Sequence, residues 1–228
     1  MFKKSITDNG LRIITNQMPY SKSVSIAFYI GAGSRYERPE ESGISHFLEH
    51  ILFKGSLKYP TAKEISETIE GVGGVLNAST DRELTTYWCK VPSKDFGIAL
   101  DVLSSFIKEP ILDSNELEKE RQVILEELAM TYDIPSYRVE LLIDEVMWPN
   151  QQLGKDVGGT RESVLNINSN MITDYMNRQY TSPNMVVSVA GDIDTDFVVD
   201  TIANYFKDWR KNKPSPWYPA TEHQKLPD

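Results

Sequence analysis

The chain has 228 residues, and its 24 Lys and Arg against 33 Asp and Glu give a formal net charge of −9. That balance, with 40% apolar residues, suits a soluble globular chain of one large or two small domains. It argues against a general nucleic-acid or anionic-membrane binder, which needs clustered Lys and Arg.

Residues 2–7 and 11–17 alternate apolar and polar around Asp8-Asn9-Gly10, the signature of a hairpin. Residues 22–31 are rich in β-branched and aromatic side chains and predict a third strand. A polar loop from Gly33 to Glu41 follows. Residues 43–54 (GISHFLEHILFK) predict a helix apolar almost all round, hence buried. Pro60-Thr61 opens a second helix to Ile69, stopped by Gly71-Val72-Gly73-Gly74. Strands at 75–79 and 84–91 join across Asp81-Arg82, and an amphipathic helix covers 94–107. A long helix runs from about Ser114 to Tyr132, with Asp113 and Glu116 in the pattern of a capping box, and Pro135 ends it. Helices near 136–147, 168–179 and 195–208 bracket a strand at 185–190. From Lys211 the Pro-rich polar composition reads as a linker or tail, so residues 1–210 form the domain and 211–228 the tail. The expected class is α+β, a largely antiparallel sheet packed with helices.

Cys89 is the single cysteine, which excludes an intrachain disulfide framework and a Cys-based zinc finger. No apolar run is long enough to span a bilayer, so no membrane partner is expected. The N-terminus lacks the apolar core of a secretory signal, which leads to an expected cytoplasmic location. Of three histidines, His223 sits in the tail, so imidazole chemistry in the body falls to His46 and His50.

His46-Phe47-Leu48-Glu49-His50 places two imidazoles four residues apart, on one face of the helix, with Glu49 beside them. That spacing lets two neutral rings grip one metal ion while Glu49 reaches a water on it. A lone histidine in an apolar helix is more often a hydrogen-bonded core residue. Two histidines and a glutamate are harder to dismiss, because burying them unpartnered costs roughly 1–3 kcal/mol or more each.

A catalytic zinc normally takes a third protein ligand. The long helix offers Glu116, Glu118, Glu120, Glu126 and Glu127, whose plain reading is a solvated acidic face. At about 100° per residue, Glu127 falls about 60° from Ile124 and about 100° from Leu128, flanked by both apolar residues. Glu126 lies about 160° from Ile124, toward water. Glu127 is therefore the expected inward ligand. Glu120, seven residues earlier, is the expected partner of a ligating side chain.

GSRYERPEESGISHFLEHILFKGS resembles the zinc-binding segment of the pitrilysin/insulinase-type inverted metallopeptidases, especially the branch of mitochondrial processing peptidase. EKERQVILEEL resembles that family's distal ligand helix, in which two glutamates stand seven apart and the second binds metal, here Glu120 and Glu127. Glu127 follows His50 by 77 residues (127 − 50), which fits the family pattern. GGVLNASTDRELTTYW resembles the edge strand that docks substrate, and VVSVAGDID the close of one homology domain.

The resemblance implies a LuxS/processing-peptidase-like metallohydrolase fold and a zinc-dependent endopeptidase. One Zn2+ per chain would be held by His46, His50 and Glu127. Glu49 would take a proton from the metal-activated water and return it to the leaving amine. An extended peptide would pair with the strand at Asn77, Ala78 and Ser79, with Phe53 nearby. A LuxS-type lyase would need a cysteine ligand, for which Cys89 has no supporting motif. The resemblance covers only the first of two homology domains, so a second domain or a partner subunit is expected to complete the chamber. The isolated chain is accordingly expected to be weakly active or inactive. The competing reading is a non-catalytic structural or assembly subunit, though such subunits often lose the motif kept here.

Overall fold

The Asn9-Gly10 turn, with Gly10 at φ +87°, folds β1 (Lys3–Ile6) back on β2 (Arg12–Gln17) as an antiparallel hairpin. The structure, a computed structural model, describes residues 2–222. His223 and the end of the expected tail lie outside the described residues. In β3 (Ser23–Ile30) every second residue, Val24, Ile26, Phe28 and Ile30, is fully buried, as its alternation predicts. The further elements are α1 (Ile44–Leu52), α2 (Ala62–Glu70), β4 (Val75–Thr80), β5 (Thr85–Pro92), α3 (Phe96–Lys108), α4 (Ser114–Asp133), α5 (Pro135–Met147), α6 (Arg161–Asn166), α7 (Ser169–Gln179), β6 (Met185–Gly191) and α8 (Thr195–Phe206).

The six strands form one sheet in the order β1-β2-β6-β3-β5-β4. Late in sequence, β6 inserts between β2 and β3. It runs antiparallel to β3 and parallel to β2, the one parallel pair among the described residues of an otherwise antiparallel sheet. β4 is the edge strand beyond β5, and no further strand pairs with it among the described residues.

Thr61 caps α2 in a reciprocal box with Glu64, as Pro60-Thr61 suggests. Asp113 caps α4 by accepting the N–H groups of Asn115 and Glu116. The expected box there is not closed, because the Glu116 carboxylate turns to Lys119 at 2.7 Å. The short α6 carries too few residues for a periodic signal, so periodicity does not predict it. Its only local cue is the Thr160–Ser163 capping box. Among the described residues no helix is long and apolar enough to cross a membrane.

Ile44, Phe47, Leu48, Ile51 and Leu52 of α1 are all fully buried. The helix packs against α4, β4 and α7, and each such side chain contributes about 1.5–3 kcal/mol by leaving water. Residues 211–222 carry no helix or strand and run back along the body. Trp217 stacks edge-on against Tyr36, and the Tyr218 N–H donates to the Arg35 carbonyl at 2.8 Å.

Candidate metal centre

The position of α1 decides where His46, Glu49 and His50 point, and its N-terminus is held by buried groups. The Glu37 carboxylate accepts the N–H of Gly43 at 2.8 Å and of Ser45 at 2.9 Å. A carboxylate there satisfies free helix N–H groups and meets the positive end of the helix dipole. Burial nonetheless pushes its pKa up to about 7, against the lowering effect of those hydrogen bonds. Tyr175 of α7 meets the Ser45 hydroxyl at 2.7 Å. Gly43 sits at φ +88°, and a Cβ there would fall 2.4 Å from the Gly158 carbonyl. Only glycine lets the start of α1 cross the 158–159 loop so closely.

One turn apart on α1, the Nε2 atoms of His46 and His50 face each other at 3.3 Å. From α4, Glu127 Oε2 lies 3.5 Å from His50 Nε2 and 3.8 Å from His46 Nε2. The three side chains each offer a ligand atom, all within 4.8 Å of one another. Bonds of about 2.0–2.1 Å to a tetrahedral zinc put neighbouring N and O donors about 3.3–3.4 Å apart, so this donor set fits such an ion.

Glu120 is buried on the far side of His50. Its Oε2 lies 3.2 Å from His50 Nδ1, and its Oε1 pairs with Lys54 Nζ at 2.7 Å. A proton on Nδ1, donated to Glu120, leaves the Nε2 lone pair free for a metal. His46 Nδ1 is buried with no partner, and burial followed by the nearby His50 lowers the His46 pKa to about 4. The His46 ring is thus biased toward the neutral form that ligates metal.

Glu49 stands next to this cluster. Thr80, at the end of β4, donates its hydroxyl hydrogen to Glu49 Oε2. Burial raises the Glu49 pKa, opposed by the Thr80 hydrogen bond and by His50. A carboxylate held this way takes up a proton more readily than one in water.

Asn77, Ala78 and Ser79 lie on edge strand β4. Asn77 and Ser79 are exposed, while Ala78 faces inward. Phe53 caps the C-terminal end of α1, and its partly buried ring packs against Phe106 at 5.4 Å and Tyr87 at 6.3 Å. Glu116, Glu118 and Glu126 stay out of the cluster; Glu116 and Glu118 pair with Lys119 and Arg121. Sequence reasoning missed Glu37, Lys54, Thr80 and Tyr175. For Thr80 a signal existed: the β4 alternation puts it on the inner face with Leu76 and Ala78. For Glu37, inside an aperiodic polar loop, there was none.

A donor set of two histidines and one carboxylate, with a glutamate between the histidines in His-x-x-Glu-His order, is that of an inverted metallopeptidase. The sequence pattern of the insulinase family, peptidase family M16, matches residues 12–161, and that of the peptidase M16 inactive domain matches residues 166–227. The chain belongs to the insulinase (M16) peptidase family.

It is 40% identical over 200 residues to the uncharacterized zinc protease YmxG of Bacillus subtilis, covering 88% of this chain and 49% of that protein. It is 32% identical over 207 residues to the mitochondrial-processing peptidase subunit beta of Dictyostelium discoideum, covering 90% of this chain and 43% of that one. The crystal structure of a protease from Helicobacter pylori superposes with a TM-score of 0.91 at 23% identity, over 98% of this chain and 54% of the other, and shares the fold. The chain spans about half the length of the curated relatives it matches.

Proposed function

We propose that this chain is the zinc-binding half of a metalloendopeptidase that cleaves extended peptides or unfolded segments. His46, His50 and Glu127 hold one zinc ion per chain. When bound, the ion polarises the scissile carbonyl and acidifies a water molecule. Glu49 accepts the proton of that water and hands it to the leaving amine. Glu120 keeps the His50 ring in the tautomer that presents Nε2. The substrate backbone adds as a strand to the free edge of β4 at Asn77, Ala78 and Ser79, with Phe53 close by. A second homology domain, or a partner subunit, closes the chamber.

The observation that carries this reading is the convergence of two Nε2 atoms and the Glu127 carboxylate from separate helices, with Glu49 alongside. The test uses the protein at the length of its relatives. Metal analysis is expected to find one zinc per chain. Glu49→Gln is expected to keep that zinc and to slow peptide hydrolysis by about 10²–10⁴-fold. Unchanged hydrolysis would remove Glu49 from its role, and a protein that takes up no zinc would sink the reading.

A further inference from the structure

α5 is a 13-residue helix with no buried residue. Its apolar side chains are not scattered. Val139, Leu142, Ile143, Val146 and Met147 are 54%, 41%, 51%, 71% and 58% exposed. At 100° per residue they fall within an arc of about 140°. Arg138, Leu141 and Asp144, on the opposite arc, are the better covered residues. The apolar stripe of an ordinary surface helix faces the core, and here it faces away. Five such side chains expose on the order of several hundred Å², the scale at which a patch marks an interaction site.

Three observations identify what covers it. Glu140 and Glu145 border the stripe, Asp133 precedes the helix, and the one cation of α5, Arg138, pairs with Glu145 at 3.5 Å, so the helix lacks the row of free Lys and Arg of one that lies on a membrane. The relatives are about twice as long as this chain, which covers 49% of one and 54% of another. The last described residues also lead to this helix. Gln151, four residues past Met147, donates its side-chain N–H to the Thr221 carbonyl at 2.9 Å and accepts the Thr221 N–H at 2.7 Å. Thr221 therefore lies beside the C-terminal end of α5.

We propose that the outward face of α5 is the docking surface for the second half of the full-length protein, the polypeptide that follows this chain in its relatives. The inference rests on the reading of the chain as one half of a longer peptidase, and not on its catalysis. It also says what docking does. On its inner side Asp144 pairs with Arg82 in the β4–β5 turn, and α5 packs on α4, which carries Glu127. A module seated on the outward face thus bears on the helix that braces α4 and the β4–β5 turn.

Methionine oxidation reads the surface directly. Met147 of the 228-residue chain and of the protein at its relatives' length is oxidised with hydrogen peroxide and followed by peptide mass spectrometry. At least fivefold slower oxidation of Met147 in the long form is expected. Val146→Glu in the long form is expected to restore the fast rate, while leaving the melting temperature of the 228-residue chain unchanged. Equal Met147 rates in the two forms would overturn the proposal and leave the half-peptidase reading standing. Protection that arises in the 228-residue chain alone as its concentration rises would assign the face to a second copy, and would overturn it too. If the short form aggregates, maleimide labelling of Val146→Cys in the long form decides. Protection supports the proposal, and labelling as fast as a free thiol overturns it.

Discussion

α1 and α5 both carry a row of apolar side chains, and the chain treats them in opposite ways. α1 buries six of its nine residues and has its N-terminus tied by Glu37 and Tyr175. α5 buries none of its thirteen. The first is positioned by contacts this chain supplies itself, and the second presents its stripe outward. The difference teaches where precision is needed. Two imidazoles must hold their 3.3 Å spacing to within about 0.5 Å, so their helix is fixed inside the core, whereas a docking face needs only to be available.

Core truncation should separate the two helices most widely. Leu48→Ala removes a fully buried side chain from α1 and is expected to cost about 2–5 kcal/mol in urea unfolding of the 228-residue chain. A loss below about 1 kcal/mol would show that α1 is not built into the core in this way.

The acid sensitivity of the metal-free chain comes next. His46 has its pKa lowered to about 4 in the folded state, from 6.5. The unfolded chain then binds the proton first. The stability tied to this ring is whole above about pH 6.5 and lost as pH falls toward 4, at most about 3 kcal/mol. Glu37 pulls the other way. Its folded pKa near 7 exceeds the usual carboxylate value, so its contribution is whole below about 4.5 and lost as pH rises through 7. The difference between wild type and His46→Gln isolates the histidine. The wild-type advantage should shrink as pH drops from 6.5 to 4, and a pH-independent difference would remove the buried neutral ring from the account.

Much of the candidate site is legible in the sequence, for reasons that can be stated residue by residue. His46, Glu49 and His50 share one helix, and helical spacing alone puts them on one face. Glu127 stands out from Glu126 because Ile124 and Leu128 mark the inner side of α4, and the structure brings it to the histidines. The hairpin, β3 and β5 announce themselves by alternation. What stays hidden depends on distant pairing. Nothing local says that β6 enters between β2 and β3, or that it lies parallel to β2. Glu37 sits in a loop without period, and its role arises only once α1 folds back above it. The outward stripe of α5 is not separable from an ordinary amphipathic helix, because periodicity gives a face but not its direction.

Glu37→Gln gives a smaller and more local break. An amide keeps one acceptor oxygen but turns an N–H₂ toward the other donor, leaving the Gly43 or Ser45 N–H unpaired in a buried place. The expected cost is about 1–3 kcal/mol, read as a melting temperature lower by about 2–4 °C per kcal/mol for a chain of this size. An unchanged melting temperature at about pH 5, where the Glu37 contribution is still nearly whole, would show that the N-terminus of α1 is fixed by Tyr175 and the core alone.

The smallest effect carries the other half of the contrast. Val146 is 71% exposed on α5, so Val146→Ala removes almost no buried surface from the 228-residue chain. Alanine has the higher helix propensity and is expected to leave urea unfolding within about 0.5 kcal/mol of wild type, if anything slightly stabilised. At the length of the relatives the same change should destabilise, because two methyl groups leave a packed interface. Ile→Val changes in cores set the scale for such losses, at about 0.5–1.5 kcal/mol. A cost of that size already present in the short chain would mean that this chain packs the outward face of α5 by itself. The two helices would then not differ in kind.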